Sequence, residues 1–286
     1  MNLTPEQQDL LPSHEEVESY LQHGYYVSRK IFSDDEIDEA IYGSERFYAG
    51  ERDFSLPMKV KPFEGWKPEH GDGIRINDYV SLQNAEIFAL VTSPVLGAIA
   101  ARLSGGPVRL WHDQMIFKPM DATGNRTGIG WHTDRAYWKT CESSNMLTAW
   151  IPFQSCDESM GPLMVVDESH RWTGNGEMRQ FHLADRTGQQ ERFANEGGRI
   201  AKVPLTLEKG QVSFHHCLTI HGSGPNLNPT PRHSISLHLQ DHTNRYRRCK
   251  QVNGEIAWHR NDVLCRSADG QPDYTDPDFC PSLWNA

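Results

Sequence analysis

The sequence is short of two features, and each shortage argues against a class of protein. None of its apolar runs approaches the roughly 18 residues that a helix needs to cross a bilayer, so we expect no membrane span. Positive charge is in deficit, because 28 Lys and Arg oppose 38 Asp and Glu and give a net charge of −10. This balance argues against nucleic-acid binding, since contact with phosphates requires a basic surface.

Cysteine is sparse and scattered, and no two cysteines form a Cys-x-x-Cys pair. The six in the 286 residues are Cys141, Cys156, Cys217, Cys249, Cys265 and Cys280. Without paired spacing a zinc ribbon has no support, and the plain interpretation is reduced thiols. The first residues also lack the basic start and apolar run of a secretory signal. We therefore expect a cytoplasmic protein.

The first hundred residues are predicted to be helical, because helix-start signals recur in them. Ser13 and Glu16 form a capping box, in which the serine side chain accepts from an unpaired amide and the glutamate bonds back to the serine amide. Ser33 with Glu36 repeats this pattern. Ser93-Pro94 marks a third helix start, with proline at the tolerated first position.

After residue 106 the sequence changes to short runs of β-formers separated by Gly, Pro, Asn and Asp. Many short strands with turn signals indicate a sandwich, barrel or jelly roll, with the helices packed outside it. The candidate strands are Val108–Phe117, Ile129–Thr133, Asn145–Phe153, Leu163–Val166, Ala201–Leu205, Gln211–Phe214 and His233–Leu239. We predict a single domain over residues 1–286, with a helical part (1–105), a jelly-roll core (106–240) and a C-terminal extension (241–286).

His132-Thr133-Asp134 is a His-x-Asp pair in a predicted strand. Residues two apart on a strand point to the same face, so this imidazole and carboxylate can bind one metal ion. A third ligand, His221, would come from a distant strand. Two histidines and one carboxylate leave open positions on the ion, as in the facial triad of non-haem iron(II) oxygenases. A second His-x-Asp, His70-Gly71-Asp72, lies in a Pro-, Gly- and Lys-rich predicted loop (53–73) and is interpreted as a surface turn.

Further segments between about residues 108 and 240 agree with this metal site. They are Asp113–Pro119, His132–Asp134 with Tyr137-Trp138, Gly161–Val166 before Ser169-His170, and Gly210–Asn226 followed by Arg232. In this order they resemble the phytanoyl-CoA dioxygenase family of iron(II)- and 2-oxoglutarate-dependent oxygenases. One departure is Asp167-Glu168, where the family usually has Pro-Gly, which calls the geometry of that turn into question but not the metal site.

The resemblance implies a mainly β fold with peripheral helices, a cupin-like double-stranded β-helix of jelly-roll topology. It implies iron(II) at His132, Asp134 and His221, with 2-oxoglutarate and O2 as co-substrates. The expected reaction hydroxylates an unactivated C–H bond of a small molecule and releases succinate and CO2. A carboxylate at position 134 favours hydroxylation, desaturation or ring formation, because related halogenases carry a small residue there.

The far carboxylate of 2-oxoglutarate needs a planar cationic partner, and arginine offers it two parallel charge-assisted hydrogen bonds. Arg232 lies 11 residues after His221 (232 − 221), the spacing that the resemblance implies for this partner. By the same resemblance, Ser223 donates a further hydrogen bond to that carboxylate. Three other residues are implied to lie near the co-substrate: Trp150, Gln114 and Lys118.

Other interpretations of the same residues stay open. The His-x-Asp pair also fits a surface ion pair, and His215 or His216 are alternatives to His221 as the third ligand. Tyr137 and Trp138 are candidate substrate contacts, although such aromatic residues are more often part of a core.

Two other functions compete with the oxygenase. A zinc hydrolase with the same ligands needs a general base beside the metal, and no glutamate motif supplies one. A non-catalytic cupin-like binding protein would have no need for an intact set of ligands together with Arg232. The sequence is compatible with natural-product, amino-acid-derived or acyl substrates. We expect the loop 53–73 or the C-terminal tail to cover the site.

Overall fold

The computed structural model describes residues 2–56, 65–124, 126–179, 200–251 and 253–285. The helices in these ranges are α1 (Pro5–Gln8), α2 (His14–His23), α3 (Asp34–Tyr48), α4 (Ala85–Val91), α5 (Pro94–Ser104) and α6 (Asn261–Leu264). Both predicted capping boxes are present, at Ser13 before α2 and at Ser33 before α3. Helix α5 begins at Pro94 as predicted and ends in the left-handed Gly105, at φ 78°.

The strands form two main antiparallel sheets. They are β1 (Tyr25–Val27), β2 (Arg75–Asp78), β3 (Val108–Lys118), β4 (Ile129–His132), β5 (Leu147–Pro152), β6 (Leu163–Val166), β7 (Lys202–Pro204), β8 (Ser213–His216), β9 (His221–Ser223), β10 (Arg232–Asp241), β11 (Ser267–Ala268), β12 (Gln271–Pro272) and β13 (Ser282–Trp284). The larger sheet has the order β1-β8-β5-β10-β3-β13, and β2 also pairs with β3. The smaller sheet has the order β4-β9-β6-β7, and β11 pairs with β12 apart from both.

The predicted strands are present, with ends that differ by a few residues. The predicted strand from His233 to Leu239, for example, extends over Arg232–Asp241. The prediction missed β1, β2, β11, β12 and β13, since two to four residues show no clear period. Three of them, β1, β2 and β13, are defined by hydrogen bonds to distant strands. Residues 57–64 of the predicted loop 53–73 lie outside the described residues. The described remainder of that loop contains one 3-10 turn, Pro68–His70.

Strand β10 shows how the larger sheet divides its side chains between two environments. Ile235, Leu237 and Leu239 belong to a hydrophobic core that also contains residues of α3, α4 and α5. The alternate residues Arg232, Ser236 and His238 face a cavity between the two sheets. Successive strand residues point to opposite faces, so one strand supplies both the core and the cavity wall. The helices thus pack outside the sheet, as predicted.

No single described helix is long and apolar enough to cross a membrane. Helices α4 and α5 pass that test only together, as a bent pair with 40° between them. Their apolar side chains are part of the core beneath the larger sheet, and include Ile87, Leu90, Leu96 and Ile99.

The Asp167-Glu168 turn, where the chain departs from its resemblance, keeps a left-handed residue. Glu168 has φ 58° and ψ 3°, a conformation that glycine adopts most readily. Asp167 contributes a contact that proline lacks, because its Oδ1 lies 2.8 Å from Nδ1 of His23 at the end of α2. The substituted turn therefore holds the helical part against the smaller sheet.

A half-buried histidine at the end of β8 predicts that stability depends on pH. Burial, reinforced by His170 and His215, lowers the pKa of His216 to about 4 from its ordinary value of 6.5. Its Nδ1 also accepts a hydrogen bond of 3.1 Å from the amide of Leu218, which protonation would break. Between these pH values the unfolded chain binds more protons, so the free energy of unfolding rises with pH.

We expect His216 to lower the free energy of unfolding by roughly 2 kcal/mol at pH 5 relative to pH 7. His216→Asn keeps an acceptor but cannot be protonated, so it should remove most of this difference in urea unfolding. The exposed His14→Asn is the matched control and should leave the pH dependence as it is in the wild type. Equal pH dependence in all three proteins would contradict the prediction.

Candidate active site

Three predicted metal ligands come together at the edge of the smaller sheet. His132 on β4 and His221 on β9 are direct cross-strand partners, with ring centroids 4.2 Å apart. One ligand atom from each histidine and one oxygen of Asp134 all lie within 4.8 Å of one another, and all three side chains are buried. The interpretation of His132 and Asp134 as a surface ion pair is therefore wrong.

The strand prediction for Asp134 is also wrong, although the convergence of the side chains is not. Strand β4 ends at His132, and Asp134 is the first residue of the 3-10 turn Asp134–Ala136. Thr133 between them keeps an extended backbone, with φ −120° and ψ 142°. The extended backbone therefore continues for one residue beyond the end of β4, and the side chains of His132 and Asp134 face the same way.

Backbone carbonyls orient both imidazoles. Nδ1 of His132 lies 2.8 Å from the carbonyl of Gly130, and Nδ1 of His221 lies 2.9 Å from that of Thr219. Nδ1 donates to these carbonyls, so each Nε2 keeps its lone pair and faces Asp134. The distances from Oδ1 of Asp134 to these Nε2 atoms are 4.0 Å and 3.5 Å.

The protonation states of this cluster suit a metal ion. Burial, followed by the effects of His132 and His215, holds the pKa of His221 well below its ordinary value. Burial acts to raise the pKa of Asp134, but the surrounding histidines, His221 first, hold it well below its usual range. Neutral imidazoles with an ionised carboxylate are the forms that coordinate a metal. The donor set fits a divalent ion such as iron(II), with positions left open toward the cavity.

Of the two alternative third ligands, His215 lies beside the ligand cluster, with its ring centroid 4.2 Å from that of His221, and His216 faces away from it. Nε2 of His215 is 3.3 Å from Oδ2 of Asp134, the oxygen farther from the other ligands, and His215 is outside the ligand cluster found among the described residues. The ring of His216 neighbours that of His170, with centroids 5.5 Å apart. The second pair, His70 and Asp72, is exposed in a turn as predicted.

Arg232, which lines the same cavity, forms a pair of buried cations with Lys118. Arg232 on β10 and Lys118 on β3 are cross-strand partners. An Nη1 proton of Arg232 is donated to the carbonyl of Gly161. Nζ of Lys118 donates to Oγ of Ser223 at 2.5 Å and to the carbonyl of Gly224 at 2.8 Å. Ser223 follows His221 on β9 by two residues, which links the cation pair to the ligand cluster.

The guanidinium of Arg232 is buried without an acidic partner. Among the described residues, no carboxylate lies within ion-pair distance of it and its Nε has no hydrogen-bond partner. Burial lowers the pKa of Arg232 to about 10, because the charged form has lost its water. Its nearest aromatic neighbour is Trp150, whose ring centroid lies 5.4 Å from Cζ. A buried cation of this kind is costly unless an anion joins it, so this end of the cavity fits a carboxylate.

Gln114 is the predicted co-substrate residue that the structure does not bring to Arg232. It lies four residues before Lys118 on β3, roughly 13 Å along a strand. Its Nε2 donates to Oδ1 of Asp78 at 2.8 Å, and Asp78 also lies 3.4 Å from Nη1 of Arg260. Gln114 therefore belongs to another wall of the cavity, which is about 640 Å³ in volume.

The cavity is also lined by the predicted substrate contacts Tyr137 and Trp138 and by several residues that the sequence analysis missed. These are Asp78, Tyr79, His112, Thr148, His238, Trp258, His259 and Arg260. The alternation of side chains along a strand could have predicted two of them. His112 lies two residues before Gln114 and His238 lies six residues after Arg232, so each shares a face with a predicted site residue. Residues 258–260 come from the C-terminal extension, so the tail does reach the site.

Comparison with known proteins agrees with this geometry. A family model described as phytanoyl-CoA dioxygenase (PhyH) matches residues 20–234. The chain belongs to this family. The family predicted from the sequence motifs is thereby confirmed.

Relatives within the phytanoyl-CoA dioxygenase family differ in name. The peroxisomal phytanoyl-CoA dioxygenase of Bos taurus is 26% identical over 241 residues, which cover 78% of this chain and 66% of that enzyme. The ectoine dioxygenase of Bordetella parapertussis is 27% identical over 239 residues, covering 79% and 74%. The matched part is thus just under two thirds of the length of the bovine enzyme.

Solved structures show the same fold. EctD from S. alaskensis with 2-oxoglutarate and 5-hydroxyectoine gives a TM-score of 0.69 at 22% identity, covering 93% of this chain and 86% of that one. The epimerase SnoN in complex with Fe3+, alpha ketoglutarate and nogalamycin RO gives 0.64 at 22% identity, covering 90% and 96%. The predicted double-stranded β-helix is confirmed.

The ligand cluster predicts a single metal site that depends on Asp134 and His221. We expect the metal-free chain to bind one Co(II), with Asp134→Ala and His221→Ala each weakening the affinity by at least about 100-fold. Titration followed by the visible absorption of Co(II) measures this. His70→Ala, in the exposed His-x-Asp, is the control and should bind as the wild type does. Unchanged binding by Asp134→Ala would contradict the assignment.

Proposed function

We propose that this member of the phytanoyl-CoA dioxygenase family is an iron(II)- and 2-oxoglutarate-dependent dioxygenase. In this proposal it hydroxylates an unactivated C–H bond of a small molecule and releases succinate and CO2. The observation that carries the proposal is one cavity that contains both a buried His-Asp-His cluster and a buried guanidinium without an acidic partner among the described residues.

His132, Asp134 and His221 would hold the iron. When bound with 2-oxoglutarate, iron(II) supplies the activation of O2 and the oxidising power for the C–H bond. The chain itself fixes both imidazoles through backbone carbonyls and keeps the cavity side of the ligand set open. Residues of both sheets line that side.

Arg232, Lys118 and Ser223 would hold the far carboxylate of 2-oxoglutarate. The planar guanidinium offers parallel donors, and the nearby ammonium adds positive charge. Ser223 accepts a hydrogen bond from Lys118, so its own hydroxyl proton remains available for donation to the carboxylate. Trp150, beside the guanidinium, would line the space occupied by the co-substrate.

The wall around Tyr137 and Trp138 would receive the substrate. The relatives are named for phytanoyl-CoA and ectoine, and the SnoN structure contains a nogalamycin compound, which supports a small-molecule substrate. The carboxylate at Asp134 supports hydroxylation rather than halogenation. We further propose a cytoplasmic location, supported by six cysteines that are all free thiols.

A zinc hydrolase with the same three ligands is the weaker candidate. Such an enzyme needs a general base beside the metal but has no use for a buried arginine and lysine at the other end of the cavity. A binding protein without catalysis would likewise leave the cost of burying these cations unexplained.

The proposed binding of 2-oxoglutarate by Arg232 can be tested separately from metal binding. We expect Arg232→Gln to weaken 2-oxoglutarate binding roughly 100-fold, because it removes a buried charge-assisted pair. Anaerobic titration of the iron(II)-loaded protein, followed by the visible metal-to-ligand charge-transfer band, measures the affinity. Exposed Arg245→Gln is the matched control. A wild-type protein with no such band, or an Arg232→Gln variant with wild-type affinity, would overturn the proposal.

A further inference from the structure

Thr148 lies behind the ligand cluster, at the centre of the larger sheet. On β5 it has one cross-strand partner on each side, His215 on β8 and His238 on β10. Its side chain faces the cavity and is buried, with 1% of its surface exposed. The hydrogen-bond partners of its hydroxyl are two buried protein side chains, Asp134 and His238.

The bonds of this hydroxyl can be assigned a direction. Oγ1 lies 2.5 Å from Oδ2 of Asp134 and 2.9 Å from Nδ1 of His238. An ionised carboxylate only accepts, and a hydroxyl carries a single proton. Thr148 must therefore donate to Asp134 and accept from Nδ1–H of His238. Because Nδ1 carries the proton that Thr148 accepts, a neutral His238 ring keeps its Nε2 as an acceptor.

The two oxygens of Asp134 consequently have different partners. Oδ1 faces Nε2 of His132 and of His221, whereas Oδ2 is turned toward Thr148. His215 also approaches Oδ2, at 3.3 Å, but its ring nitrogens lack hydrogen-bond geometry. Asp134 lies in a 3-10 turn rather than on a strand, so the sheet does not fix its side chain directly. The hydroxyl of Thr148 ties this carboxylate to the larger sheet.

We propose that Thr148 is a positioning residue for the metal site. It holds the carboxylate of Asp134 with Oδ1 presented to the ion, and it holds His238 with Nε2 as a hydrogen-bond acceptor toward the substrate space. This inference rests on the proposed function, because it assumes that Asp134 is a ligand. It adds one requirement to the set of three ligands, namely that Asp134 binds the ion through Oδ1 only.

The test compares a substitution that keeps the shape of Thr148 with one that keeps its hydroxyl. Thr148→Val removes the hydroxyl and keeps the shape, whereas Thr148→Ser keeps the hydroxyl. We expect Val to weaken Co(II) affinity of the metal-free protein about 10- to 100-fold, as for other groups that orient a ligand, and Ser to stay within about 3-fold of the wild type. Thr140→Val is the matched control, since Thr140 is also buried and hydrogen-bonded but lies outside the cavity.

Wild-type affinity in Thr148→Val would overturn the proposal, as would an equal loss in Val and Ser. Urea unfolding of the metal-free proteins separates a fold defect from a site defect, because Thr140→Val should lose stability without losing Co(II) affinity. If the wild type binds Co(II) but 2-oxoglutarate leaves its spectrum unchanged, the proposed function fails while the role of Thr148 still stands.

The tautomer of His238 gives a second measurement that a merely structural threonine would not affect. In the Zn(II)-loaded wild type, we expect ¹⁵N NMR of the imidazoles to show His238 protonated at Nδ1. Thr148→Val should lose this preference, and Thr148→Ser should keep it. A wild-type His238 protonated at Nε2 would reverse the direction of the hydrogen bonds and overturn the assignment.

Discussion

The strands of the larger sheet separate an apolar side from a polar one, and this constraint determines both the core and the cavity. On β10, three aliphatic residues pack beneath the helices while Arg232, Ser236 and His238 line the other face. A shift of one residue would exchange the two sets and bury the arginine among apolar side chains. The long pairing of β10 with β3, interrupted by a bulge after His238, fixes this register.

The charges in the cavity are arranged by the same register. Asp134 lies among the buried histidines of the ligand cluster, and Arg232 and Lys118 form a separate pair of buried cations. The cation pair is solvated by two carbonyls and by Ser223. Burying two cations without an anion destabilises the folded chain, and other interactions of the fold must offset this cost. An anion that restores the balance would stabilise the folded chain.

The sequence was most informative where chemistry and local spacing coincide. His132 and Asp134 are two residues apart, and family motifs placed His221 and Arg232, so these residues could be found without coordinates. Their roles as metal and co-substrate ligands stay a proposal. Motif segments and short β-rich runs likewise led to the correct fold, while strand ends and the three-residue β1 depended on pairing with distant segments.

The cavity wall was harder to predict for a physical reason. Asp78 and Gln114 meet because an edge strand pairs with β3, and no local pattern encodes that register. The placement of Gln114 by resemblance ignored its distance along the strand from Lys118. No local pattern predicted a role for the hydroxyl of Thr148, because its hydrogen-bond partner Asp134 is a turn residue 14 positions away along the chain.

The position of residues 258–260 along the chain bears on how the cavity could change in evolution. They line the cavity, yet they follow the segment that the family model covers, which ends at residue 234. The ligand cluster and cation pair all lie within that segment. The tail thus supplies part of the cavity wall from outside that segment, while Tyr137 and Trp138 supply another part from within it. Changes in the tail would alter the shape of the cavity and leave the ligand cluster in place.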